Sequence, residues 1–312
     1  MLRESIASVL DQTFPYFELI VSDNASEDDT ESLVRSFADK RIRYARNQQN
    51  VGPRENMNRC LPLARGKYIA FLPDDDMMMP ENLSTKVATL NANPDVGLVH
   101  SSYHLVDDSG RIVKSDTNWG HGPDRKVDAI EDRHKLLTGA YNRINLPTVL
   151  FRRACYERLG GFADGFAGEV GLAFDYEYWT RVALYYEIAF LAKPLVKWRI
   201  HSGSLTNTHL AADGTRKLKQ VLTAKRFLLT RHSQAIPRDL KKDIRKHILE
   251  TVLAHAQALI ADGGPNRRAM EFLVEMSGMF PGLLLHEEAW KLLLKATMSR
   301  RSIERLKRLV PI

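Results

Sequence analysis

The chain is short of cysteine, of long apolar runs and of repetitive sequence, and each shortage narrows what it can be. Its 312 residues contain two cysteines, Cys60 and Cys155. They stand too far apart for a zinc site or a redox pair and are too few for a disulfide scaffold, so a reducing compartment is the simpler reading. No apolar run approaches the roughly 18–20 residues of a membrane span, and no signal-peptide pattern opens the sequence. A soluble, cytoplasmic protein is therefore expected. Internal repeats and low-complexity tracts are absent too, which excludes disordered and collagen-like classes. What remains is ordinary globular composition, 44% hydrophobic and 27% charged, long enough for one large domain or two smaller ones.

The net charge of +7 is unevenly spread. Residues 1–213 carry 25 Lys+Arg against 29 Asp+Glu, whereas residues 214–312 carry 20 against 9. Opposite signs suggest two jobs and a boundary at Asp213-Gly214, dividing the chain into 1–213 and 214–312.

The first region alternates helix and strand signals. Leu2, Ile6, Val9 and Leu10 share one face of a helix over 2–10. Short apolar runs at 17–21, 67–72 and 96–99 read as buried strands, and 42–44 as a further short one. Helices are expected from Ser26 to about 37, near 55–64, and from Pro80 to about 91. This alternation implies an α/β fold, a mostly parallel sheet sandwiched by helices, with ligands held beyond the carboxyl ends of the strands. A βα unit should open with a strand, yet this one opens with a helix, so a preceding strand of roughly ten residues is expected outside the sequence. Beyond 214 the pattern turns helical: Ile244, Ile248, Val252, Ala256 and Leu259 form one stripe, and further helices are expected near 268–276, 287–296 and 302–309.

Two strand ends carry acids: Asp23 after one, and Asp74, Asp75 and Asp76 after another. Three adjacent carboxylates repel one another unless a cation sits among them. Oxygen ligands favour a hard divalent ion such as Mg²⁺ or Mn²⁺, which commonly holds phosphates as well. The competing reading is a solvated turn in which Asp76 caps the next helix.

At this point the sequence resembles family 2 glycosyltransferases of the GT-A fold, a Rossmann-like nucleotide-diphospho-sugar transferase architecture. The stretch Phe17-Glu18-Leu19-Ile20-Val21-Ser22-Asp23-Asn24-Ala25-Ser26 looks like their first nucleotide-binding segment. The likeness continues through Asn50-Val51-Gly52-Pro53, Asn56-Met57-Asn58-Arg59 and residues 64–72 to the Asp triplet. Later, Leu159-Gly160-Gly161-Phe162, Asp175-Tyr176-Glu177-Tyr178-Trp179 and Trp198-Arg199-Ile200-His201 resemble the acceptor-side, base-bearing and closing motifs. The resemblance implies donor contacts from Asp23, Asn24, Asn56, Asn58, Asp74, Asp75 and Asp76. It implies a divalent metal, Mg²⁺ or Mn²⁺, held by Asp75, Asp76 and His201, and it implies Asp175 as the general base.

The chemistry so implied is inverting transfer of a sugar from a UDP- or dTDP-sugar to a hydroxyl of a glycan or lipid-linked acceptor, as in bacterial surface polysaccharide synthesis. One carboxylate accepts the proton of the incoming hydroxyl, and the apolar neighbour Phe174 favours a raised pKa there. Glu177 reads as structural and Trp179 as core. His100, His104 and His121 show no ligand spacing. The basic helices read either as a solvated face or as a peripheral contact with the inner face of the cell membrane. Nucleic acid is not an expected partner, because the basic residues lack interleaved aromatics. Two other classes compete for the same residues: a catalytically impaired nucleotide- or glycan-binding module, and a nucleotidyltransferase.

Overall fold

The computed structural model describes residues 1–116, 136–139, 142, 144–163, 173–204, 214–261 and 266–297. The expected helix at 302–309 and His121 lie outside the described residues. Strands β1 (Leu19–Asp23) and β2 (Ile42–Arg46) form a parallel pair, with Leu19 opposite Ile42 and Asp23 opposite Arg46. A second sheet contains β3 (Tyr68–Ile69), β4 (Met77–Met78), β5 (Val96–Val106), β6 (Ile112–Asp116), β7 (Val149–Arg152) and β8 (Glu187–Arg199). Its order is β3-β7-β5-β8-β4, with β6 added to β5.

The expectation of a mostly parallel sheet needs correction. β5 and β8 run parallel, but β3–β7, β4–β8, β5–β6 and β5–β7 are antiparallel, so the sheet is mixed. A short apolar run such as 96–99 signals burial on both faces and says nothing about direction. Direction is set by β6, β7 and β8, and the sequence reading assigned none of these as a strand.

Helices cover both sheets because their apolar stripes fit against them. Ile6 and Val9 bury the inner face of the Leu2–Leu10 helix, while the Phe174–Tyr185 helix is buried along almost its whole length. Phe151 touches Tyr178 and Trp179 edge-on, at ring separations of 5.6 and 5.9 Å, and Phe162 packs on the same Tyr178 and Trp179. The same core continues into the C-terminal helices Gly214–Arg231, Arg238–Ile260, Arg267–Met279 and Glu287–Thr297. Ile244, Ile248, Val252 and Ala256 are buried as the stripe required, and Val221, Leu222 and Leu228 pack in one cluster with Phe174 and Trp179. Residue 214 therefore marks a change of element type, not a break in the core. Many charges of these helices are paired at the surface, as in Arg267–Glu271 and Lys291–Glu287. Among the described residues, no helix is long and apolar enough to cross a membrane.

The two sheets are not hydrogen-bonded to each other among the described residues. β1 and the segment 66–76 line one cavity of about 2020 Å³. Leu19, Ile20 and Val21 are half-buried there, although their composition suits a strand covered on both faces.

Candidate active site

One end of the cavity is built from the carboxyl end of β1. Asp23 is buried, accepting the Ser26 N–H at 2.8 Å and the Tyr44 hydroxyl at 2.5 Å, with the Arg46 Nε 3.8 Å away. Burial opposes its charge, but Tyr44, Ser26 and Arg46 together hold the carboxyl below its ordinary range. Asn24 is fixed on both sides of its carboxamide. It donates to Asn50 Oδ1 at 2.8 Å and accepts from Asn47 Nδ2 at 3.1 Å and the Val51 N–H at 3.0 Å. Asn56 ties its helix, Pro53–Cys60, to β1: its Oδ1 accepts from the Ser22 hydroxyl and from Asn47, and its Nδ2 donates to the Ser22 carbonyl.

Asn58 lies elsewhere. Its carboxamide grips the Phe162 backbone at both ends, donating to the carbonyl at 2.9 Å and accepting the N–H at 2.8 Å. It does not line the cavity, so the donor-contact expectation gives way to a structural clamp. The clamp also explains Gly161, where a Cβ would collide with the Asn58 carboxamide. Glu177 works similarly: buried against Arg181 at 2.6 Å, it helps aim that guanidinium at the Leu159 and Gly161 carbonyls.

The three aspartates after Leu72 receive three environments. Asp74 keeps an exposed surface, and partial desolvation and then the Asp75 charge raise its pKa. Asp75 Oδ2 meets His201 Nε2 at 3.0 Å. Asp76 is buried and accepts the Arg199 N–H at 2.9 Å; burial and then the Asp75 charge push its pKa well up despite that bond. The Arg199 guanidinium, 1% exposed, donates to the Asp75 and Asp108 carbonyls and to Glu4, locking the triplet to the end of β8. Thus Asp75 and His201 come together, while Asp76 turns to the backbone behind them. Among the described residues, no group of three or more His, Cys, Asp or Glu side chains is arranged to hold a metal.

Asp175 stands in the first turn of the Phe174–Tyr185 helix and lines the same cavity. Its Oδ1 accepts the Tyr176 N–H at 2.6 Å and its Oδ2 the Asn142 Nδ2 at 3.1 Å. Burial raises its pKa to about 7, with those two donors opposing. A carboxyl poised near neutrality in a cleft suits proton abstraction.

Sequence reasoning did not single out Tyr44, Asn47, Asn142 or Lys225. A signal existed for Lys225, a lone cation on the buried stripe with Val221, Leu222 and Leu228. Asn142 carried none.

A polar cluster at the end of β1, an acid triplet and a neutral-range acid thus line one crevice on this mixed sheet. The description "Glycosyl transferase family 2" matches residues 1–157, half of the chain. The chain belongs to that family. S. aureus TarS 1-349, solved with UDP-GlcNAc, has the same fold at a TM-score of 0.59 and 18% identity, covering 99% of this chain and 88% of TarS 1-349. The mannosyltransferase PcManGT of Pyrobaculum calidifontis, solved with GDP-Man and Mn²⁺, superposes at 0.56 and 18% identity, covering 99% and 83%. In sequence, the uncharacterized glycosyltransferase MJ1057 of Methanocaldococcus jannaschii is 35% identical over 116 residues, 36% of this chain and 40% of that protein. The Escherichia coli UDP-Glc:alpha-D-GlcNAc-diphosphoundecaprenol beta-1,3-glucosyltransferase WfgD is 32% identical over 113 residues, 36% of this chain and 44% of its own. The chain thus spans less than half the length of each of these two relatives.

Proposed function

We propose that the chain is an inverting glycosyltransferase that moves a sugar from a UDP- or dTDP-sugar to a hydroxyl of a glycan or lipid-linked acceptor in surface polysaccharide synthesis. The observation that carries this reading is that Asp175, with its pKa near 7, lines the same cavity as the Asp23–Asn24 cluster and the Asp75–His201 pair. WfgD, whose printed activity uses UDP-Glc and a diphosphoundecaprenol acceptor, supports the donor and acceptor classes.

Asp175 takes the proton of the acceptor hydroxyl as that oxygen attacks the anomeric carbon from the face opposite the diphosphate. The bond from the anomeric carbon to the diphosphate oxygen breaks, and the nucleoside diphosphate leaves with the electron pair. One carboxylate suffices, with no covalent sugar–enzyme intermediate. Asp23, Asn24 and their hydrogen-bonded partners hold the nucleoside end.

Asp75 and His201 fit a divalent ion: an oxygen and an imidazole donor 3.0 Å apart in an acidic crevice. Magnesium or manganese commonly takes only one or two protein ligands and fills the rest with phosphate and water. Asp76, occupied by the Arg199 N–H, leaves this set. When bound, the ion supplies positive charge against the leaving diphosphate.

Asp175→Asn tests the reading. UDP release from UDP-glucose, with diphosphoundecaprenol-linked GlcNAc as acceptor, should fall by about 10²–10⁴-fold. UDP affinity by calorimetry should stay within about twofold, since the side chain does not touch the nucleotide end. Undiminished turnover in this variant would remove Asp175 from the mechanism.

A further inference from the structure

The inference concerns what holds Asp175, and it rests on the reading of Asp175 as the proton acceptor. A base that must point one oxygen at an incoming hydroxyl needs its rotamer fixed and its charged form sustained. Oδ1 is engaged by the Tyr176 N–H at 2.6 Å, a contact within its own helix. Oδ2 is engaged by Asn142 Nδ2 at 3.1 Å, which comes from a different part of the chain.

The Asn142 carboxamide has a fixed sense. Its Oδ1 accepts the Ile144 N–H at 3.0 Å, so an oxygen must stand on that side and the NH₂ must face Asp175. Residues 136–139, earlier in the chain, are pinned from two directions. The Tyr176 hydroxyl donates to the Leu136 carbonyl at 2.8 Å, and Lys225 Nζ donates to the Thr138 carbonyl at 2.7 Å. Leu136 and Leu137 are themselves buried, and Lys225 is 1% exposed. A lysine sequestered to reach one carbonyl is costly unless that tether is needed. It comes from the Gly214–Arg231 helix, which packs against the Phe174–Tyr185 helix.

We infer that Asn142 is a positioning residue for Asp175, orienting its carboxylate and sustaining its charge, and that Lys225 holds the segment carrying Asn142 in register. The C-terminal helices are thereby part of the catalytic apparatus.

Charged groups around Asp175 do not substitute for Asn142. On its own helix, Glu177 and Arg181 neutralise each other and face the Leu159–Gly161 turn. From the packed Gly214–Arg231 helix, Lys225 directs its ammonium to Thr138. Across the cavity stand Asp74, Asp75, Asp76 and His201, and from the Arg238–Ile260 helix Glu250 and His255. Burial raises the Asp175 carboxyl, and the hydrogen bonds from the Tyr176 N–H and Asn142 lower it.

The sign follows. Asn142 donates to the ionised form, so removing it raises the Asp175 midpoint and demands a higher pH for activity. The test reads the carboxyl directly, by ¹³C NMR titration of the full chain labelled with [γ-¹³C]aspartate. The Asp175 signal is assigned by its loss in Asp175→Asn. In Asn142→Ala the midpoint should move up by about one pH unit. Asn142→Asp, isosteric and therefore safer for folding, should move it up further, because an acceptor and a like charge replace the donor. UDP affinity serves as the control for a folded site. The acid limb of kcat/KM should move by the same amount, so that transfer below the limb falls about tenfold and recovers above it. Lys225→Met should lower kcat while leaving the KM for UDP-glucose within about twofold.

An unchanged midpoint in both Asn142 variants, or an activity loss equal at every pH, would overturn the inference. Undiminished turnover in Asp175→Asn would remove the base assignment, and this inference with it. Full loss in Asp175→Asn together with an unmoved midpoint in the Asn142 variants would overturn only the inference.

Discussion

Asp75 and Asp76 are chemically identical neighbours, yet the fold gives them different work. Asp75 turns to His201 at the cavity wall, while Asp76 accepts the Arg199 N–H out of solvent. Two substitutions separate the roles. Asp75→Ala should weaken Mn²⁺-dependent UDP binding by roughly tenfold or more, since a direct ligand to the ion is lost. Asp76→Asn keeps an acceptor for Arg199 and should leave the metal dependence intact, changing stability by about 1–3 kcal/mol. Calorimetry with Mn²⁺ and with EDTA decides the first, and urea unfolding the second. Equal UDP affinity for Asp75→Ala and the parent chain in Mn²⁺ would defeat the ligand assignment. From the sequence, the triplet stood out because three carboxylates after an apolar strand are electrostatically costly. That Asp76 accepts a backbone N–H was illegible, because the donor is Arg199, 123 residues away. The raised pKa at Asp175 was foreshadowed by Phe174 beside it. Asn142 was invisible, since its role comes from a loop meeting a helix start 33 residues away.

At the scale of elements, helices were more legible than strands. A 3.6-residue stripe such as Ile244, Ile248, Val252 and Ala256 carries its own evidence of period and face. The apolar run at 67–72 has no such self-reference: only Tyr68–Ile69 pair as strand, opposite Arg152 and Phe151. Beyond them Ala70, Phe71 and Leu72 make no backbone hydrogen bonds among the described residues, and they border the cavity that β1 also lines. Amide exchange should register this edge. The Ala70, Phe71 and Leu72 amides should exchange at least ~10²-fold faster than those of Leu150 and Phe151 in β7, which sits between β3 and β5. Equal protection would mean that the edge is covered in solution. The same cleft bears on the competing reading of a binding module without turnover. The residues proposed to hold the nucleoside hang from β1, whose outer edge lacks a partner strand among the described residues.

At the scale of the whole molecule, the charge asymmetry and the core point in different directions. The basic excess beyond residue 214 invites a picture of a sugar-transfer domain with a separate appendage. Packing runs across that boundary: Val221, Leu222 and Leu228 belong to the same buried cluster as Phe174 and Trp179, and Lys225 donates to the Thr138 carbonyl. Charge is a surface property and is free to change sign across a continuous core, so composition alone had no access to the interface. A fragment of residues 1–213 would expose the face of the Phe174–Tyr185 helix on which the Gly214–Arg231 helix packs. It would also release the segment that carries Asn142. Each large apolar side chain uncovered costs about 1.5–3 kcal/mol, and the three named above already approach the entire stability of an ordinary domain. The fragment should therefore lose cooperative unfolding and expose apolar surface to a dye such as ANS, while the full chain unfolds in one transition. A 1–213 fragment that melts cooperatively and binds UDP as the full chain does would restore the two-part picture. It would also sever the link from the C-terminal helices to Asp175.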